Sequence, residues 1–298
     1  MWYALSAAML FAVSAVCGQS LSRQIGGVTA NFFRITIACS SLGLITWFFF
    51  PGQVHASSFP WFAVSGVLGF GLGDVALFLA YPLLGARTAV LVNLCWGTLV
   101  GALADRLLIG THLSRPEIAA ATLTLSGVVL AMHREDEPFQ WNAGLLLSLF
   151  SGTCGGLSLT LSRMALGIAL DANQTISGPV QAFQRTVGGL VIGWIAFAVL
   201  RYSAKGKPVF PHGVSPVKLP PLILASSTIG PVIGVSIMQV GLQQVGSSAV
   251  ISAISSTVPI MLLPISSYID HKAPTRLAIM GSFLAVGGVA AMAYLRSR

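Results

Sequence analysis

The sequence predicts an all-α integral membrane protein in which ten transmembrane helices form two inverted five-helix repeats. Three observations lead there. Of the 298 residues, 55% are hydrophobic and 8% charged, more apolar surface than a soluble core of this size absorbs. The apolar residues fall into ten segments, each near the length a helix needs to span a bilayer. The second five segments echo the first five at a nearly constant offset.

In chain order the segments are 2–21, 28–50, 60–81, 87–109 and 114–132, then 141–165, 178–200, 219–243, 247–269 and 274–295. The acidic break from His133 to Pro138 divides them, giving expected units 1–134 and 139–298. The longest connection, Arg201 to Lys218, carries Lys205, Gly206, Lys207, Pro208 and Pro211 and reads as a solvated loop. The first segment lacks the positive start of a signal peptide, and Ser14-Ala15-Val16 before Cys17 fits a lipoprotein cleavage site poorly, so a retained helix is expected. Net charge is +8, but the basic residues are scattered through short connections, where they meet lipid headgroups. No basic run with interleaved aromatics points to a nucleic-acid partner. Cys17, Cys39, Cys95 and Cys154 all lie inside apolar segments, without metal-ligand spacing, and read as small packing residues.

The repeat is visible in matched residues. Ala89-Val90 and Ala249-Val250 stand 160 positions apart, and the same shift pairs Gly127 with Gly287, Ala131-Met132 with Ala291-Met292, and Phe70-Gly71 with Gly230-Pro231. Leu21-Ser22-Arg23 resembles Leu161-Ser162-Arg163, and Arg34 has a counterpart in Arg185. Five crossings is an odd number, so the second unit enters the membrane from the opposite side. The units are then inverted repeats about an axis in the membrane plane, an arrangement suited to alternating access.

In such an arrangement the substrate site lies near the midplane, where matching helices are interrupted by Gly or Pro. The third segment holds Gly69, Gly71, Gly73 and Asp74; the eighth holds Gly230, Pro231 and Gly234. Asp74 lies roughly 5 Å from the middle of its span at about 1.5 Å per residue. An ionised carboxylate there costs roughly 2.5–3.5 kcal/mol on insertion scales, so it faces a bundle interior or a wet cavity, or carries a proton. Pro231 removes a backbone donor and is expected to free a carbonyl near the cavity. Asn93, Gln239 and Ser256 are further candidates for the lining, and Tyr81 and Trp96 for stacking on a substrate. Arg34 and Arg185 stand near the starts of their spans. They either reach out to headgroups or turn inward and attract an anionic or carboxylate-bearing substrate.

With these residues in hand, the chain resembles the EamA-like family of the drug/metabolite transporter superfamily. The resemblance rests on Gly73-Asp74, on Gly85-Ala86-Arg87-Thr88-Ala89 opening the fourth helix, on Val245-Gly246-Ser247-Ser248-Ala249-Val250 at the matching junction, and on Pro259, Gly127 and Gly287. It departs from the family at Leu99, where a Pro is usual, and at Thr111 and His271, where Glu is usual. The resemblance implies a secondary carrier or exporter of small polar metabolites such as amino acids, in the inner or plasma membrane, with a cavity between the repeats. It also implies both termini in the cytoplasm. That places 6 of the 16 Lys and Arg inside, so the charge distribution favours the reverse orientation. A proton is the expected coupling ion, bound by Asp74 if that group does not hold a cationic part of the substrate. No cofactor or metal is expected, and the protein is expected as a monomer or homodimer. A passive channel, a scaffold or a lipid-handling protein is the alternative. An enzyme is not expected, because no metal-spaced cluster or Ser-Lys or Ser-His pair occurs in the spans, and His55, His112, His133, His212 and His271 sit at connections.

Overall fold

The computed structural model describes residues 2–110, 114–132, 142–204, 209–210, 217, 219–245, 255, 257–262, 265 and 275–296. Apart from connecting turns these are helical, and no strand occurs among them. In hydrocarbon every backbone N–H and C=O needs a partner within its own segment, and an α-helix provides one. The helices are α1 (Trp2–Ile25), α2 (Gly27–Phe49), α3 (Phe59–Gly66), α4 (Asp74–Ile109), α5 (Arg115–Met132), α6 (Ala143–Asp171), α7 (Gly178–Ser203), α8 (Leu219–Ser227), α9 (Val235–Val245) and α10 (Arg276–Arg296). Two π-helical stretches, π1 (Val67–Gly73) and π2 (Thr228–Gly234), join α3 to α4 and α8 to α9.

Five stretches among the described residues are long and apolar enough to cross a membrane: Gly27–Phe49, Phe59–Leu108, Ala143–Asp171, Gly178–Ser203 and Leu219–Gln244. The second of these is 50 residues long and holds the expected third and fourth spans. The expected first, fifth and tenth spans are the helices α1, α5 and α10, which fall outside those five. Most of the expected ninth span, including Ser256 and Pro264, lies outside the described residues; 258–262 is helical. Large side chains on the outer face, such as Trp47, Phe49 and Leu107, are exposed, as lipid contact requires.

Two local features depart from regular helix. The third and fourth spans are joined where the sequence expects, at 82–86: α4 is two helices that meet at a kink at Gly85. The chain turns at Gly85, whose φ of 76° and ψ of 156° are open to glycine alone at little cost. The N–H of Ala86 that the turn releases donates to Gln19 Oε1 of α1 at 2.9 Å. A side chain on a neighbouring helix thereby caps the fourth span.

The second difference concerns the helix interruptions. Neither the glycines of the third span nor Pro231 produces a sharp break. Each instead lies in a seven-residue π-turn, which adds a residue to the local turn and loosens the ladder without opening it. Carbonyls left over there are taken by neighbours: Asn31 Nδ2 donates to Phe70 O at 3.3 Å, and Ser14 Oγ to Ser226 O at 3.2 Å, one turn before π2.

Packing follows the small residues. Gly97 and Gly101 of α4 lie against Gly152 and Gly156 of α6, so close that a Cβ on Gly156 would strike the Gly97 carbonyl. One buried cluster (Leu21, Ile25, Phe78, Val90, Leu219, Val258) ties α1 to α4 and α8. A second, of Ile35, Leu42, Phe70, Val232 and Val235, binds α2 to both π-turns. α5 and α10 pack chiefly on one another.

Candidate functional site

A cavity of about 240 Å³ is lined by residues of α1, α2, π1, α4, α6, α7 and α9. Its charged lining among the described residues consists of Arg34, Asp74 and Arg185, each reaching it from a different helix. Asp74 is the first residue after π1, which places its side chain toward the interior. Arg34 Nη1 donates to Asp74 Oδ2 at 2.6 Å, and its guanidinium lies 5.2 Å from the centre of the Phe78 ring. Arg185 Nη2 donates to Ser158 Oγ at 3.0 Å, and its guanidinium lies 5.1 Å from the Phe70 ring. Of the two possibilities left open for these arginines, headgroup contact fails. Their exposures are 8% and 5%, and both turn inward.

The supporting contacts recur around the two π-turns. Ser158 and Ser65 exchange hydroxyl-to-carbonyl hydrogen bonds of 2.7 Å, fixing the hydroxyl that receives Arg185. A Cβ on Gly69 would sit 2.5 Å from that hydroxyl, so the glycine leaves it room. On the other side Ser14 Oγ bonds Ser226, while Gly230 leaves room for Ser14 and Arg34. Ser226 and Gly230 stand 161 positions after Ser65 and Gly69, and π2 stands 161 after π1. The same offset places Val235 where the first unit has Asp74. One arginine of the pair therefore meets a carboxylate. Among the described residues the other forms no ion pair.

The remaining sequence candidates divide between cavity and packing. Tyr81 and Asn93 line the cavity, and Asn93 Nδ2 donates to Ser151 Oγ at 2.6 Å. Gly230, Pro231, Gln239 and Trp96 are not among the described residues of the lining. Gly230 packs against Ser14 and Arg34, and the Ser226 carbonyl, five residues before Pro231, accepts from the cavity-lining Ser14. Gln239 is buried and donates to Ser162 Oγ at 3.0 Å; the Trp96 indole N–H donates to Thr153 Oγ1 at 2.9 Å. Ser256 is outside the described residues, though its neighbour Ser255 lines the cavity. Sequence reasoning passed over Ser14, Ser151 and Ser158, together with the apolar wall of Phe11, Leu77, Phe78, Leu94 and Met238. The only signal for the serines was their position in segments that face the glycine runs.

Residues 1–133 match the EamA-like transporter family. That match, with the apolar helices, makes this an integral, multi-pass membrane protein, and the family is one of membrane transporters. Over 99% of its length the chain also superposes on a protein of known crystal structure, covering 96% of that chain with a TM-score of 0.69 at 19% identity, a likeness of fold. No curated protein matches it. The EamA-like segment contains α1 to α5 and so contributes Ser14, Arg34, Asp74, Tyr81 and Asn93 to the cavity.

Proposed function

We propose that this EamA-like protein is a secondary carrier that holds a small polar metabolite in the cavity beside Asp74 and exposes it alternately to the two faces of the membrane. The observation that carries this reading is the Arg34–Asp74 pair. Two buried charges and a third, Arg185, are kept around a cavity inside an apolar bundle, at a cost that packing alone does not explain. The recurrence of the serine, glycine and arginine contacts about both π-turns favours two inverted units, 1–134 and 139–298, that exchange conformations. The expected role of Asp74 changes in one respect. Its Oδ2 already accepts from Arg34, so a proton or a cationic substrate group competes with that arginine for the carboxylate.

Counterflow in proteoliposomes tests the reading. Vesicles preloaded with an unlabelled panel of amino acids and small organic acids should accelerate entry of the labelled compounds, with saturation. Asp74→Asn should lower that flux and remove its response to an imposed pH gradient. Linear, unsaturable flux without counterflow would make the protein a channel instead.

A further inference from the structure

We propose that Arg185 anchors the carboxylate of a small amphipathic monoanion in this cavity. The inference rests on the carrier reading and adds to it the class of substrate. Among the described lining residues there are two arginines and one aspartate, leaving one cation uncompensated. Arg34 is not that cation, because Asp74 faces it at 2.6 Å. Arg185 donates through Nη2 to a neutral hydroxyl only, and its Nε and Nη1 are buried without a partner among the described residues. A guanidinium stays protonated in proteins, so an anion entering the cavity meets a cation with donors to spare.

The chemistry of Arg185 narrows the acceptor. The residue lines the cavity with its guanidinium held over Phe70 and tied to Ser158, and a small turn of the planar fork would offer its unpartnered donors to a ligand there. A fork of that kind matches the two oxygens of a carboxylate. One uncompensated charge is balanced by a monoanion, whereas a phosphate dianion would leave a negative charge in an apolar setting. Phe11, Leu77, Leu94, Met238 and Val258 supply the rest of the wall, which suits an apolar body behind the acid.

Thermal unfolding of the purified full chain tests this with four probes of common shape: 3-phenylpropanoate, 3-phenylpropanamide, phenethylamine and phenyl phosphate. The acid should raise the melting temperature with increasing concentration, and the amide, the amine and the phosphate should need at least about tenfold more ligand for the same shift. Arg185→Gln should weaken the acid by about tenfold or more, and Arg185→Lys by less, since it keeps the charge and loses the fork. The inference is overturned if the wild-type protein shows no shift with the acid, if the amide or the phosphate equals it, or if Arg185→Gln binds it undiminished. The acid–amide comparison needs only the wild-type chain, so it decides even where a variant does not fold. Failure of the carrier reading is a separate result: the acid would bind through Arg185 yet give no counterflow. Counterflow of neutral or cationic compounds that ignores Arg185→Gln would remove the anchor and leave the carrier.

Discussion

Arg34 and Asp74 form the buried pair on which the cavity is built, and removing either partner strands the other in a medium that solvates it poorly. Asp74→Asn should lower stability by about 3 kcal/mol, the lower end for a buried pair because the carboxylate still touches the cavity. The paired replacement Arg34→Met with Asp74→Leu should cost less than Asp74→Asn alone, and chemical unfolding in detergent measures both. Trp96 and Gln239 lie outside the cavity, so Trp96→Phe should cost about 1 kcal/mol for the hydrogen bond to Thr153 and leave ligand affinity unchanged. Titration of the probe acid against that variant checks the second half of the statement. Asp74 was legible because a charge inside an apolar run admits few explanations. The direction of Arg34 was not, since a long side chain near a span end reaches either headgroups or the interior from the same position. Ser158 was less legible still: Ser148, Ser227 and Thr98 bond their own preceding turn, and nothing in composition separates Ser158 from them.

At the level of helices, two glycine positions are decisive. Gly85→Ala should cost about 1–3 kcal/mol, because the turn it makes lies outside what an L side chain adopts without strain. Gly156→Ala should cost a similar ~1–3 kcal/mol by forcing α4 and α6 apart at Gly97. Melting temperatures of the two variants check these values, and a phenotype in Gly85→Ala without loss of helix content by circular dichroism would locate the effect at the turn. Most helices could be drawn from apolar length alone, to within a few residues at their ends. The π-turns could not, because a run of glycines in a membrane helix reads first as a packing surface, and an inserted residue leaves no mark in composition. The joint at Gly85 was legible, because Pro82 and Gly85 mark a turn between two apolar runs; what the sequence did not show is Gln19 of α1, which accepts from the Ala86 N–H there.

For the whole molecule, the recurrence of Ser14 with Gly230 and Arg34, and of Ser158 with Gly69 and Arg185, gives two comparable latches, one at each π-turn. If the proposed repeats exchange conformations, the latches should open in turn. With the native thiols replaced, Ser14→Cys and Ser158→Cys should react with a membrane-impermeant reagent from opposite faces, and a bound acid should change the two rates in opposite directions. Equal labelling of both from one face would count against alternating access. An offset of 160 was read in the sequence from a few residue pairs; the contacts around the π-turns recur at 161, one residue away. What the sequence did not reveal is the inequality at that offset, which comes down to Asp74 at one position and Val235 at the other.

That inequality has an electrical consequence. With Arg34 cancelled by Asp74, the described lining keeps one positive charge, on Arg185, which a bound monoanion would bring to zero. In a carrier built this way voltage would do nothing to the loaded form as it reorients, while the return of the unloaded one would move charge through part of the field, at about 2.3 kcal/mol per elementary charge per 100 mV for a complete crossing. Polarising the bilayer should therefore alter how fast the cycle turns over and leave the concentration for half-saturation of the bound form largely where it was.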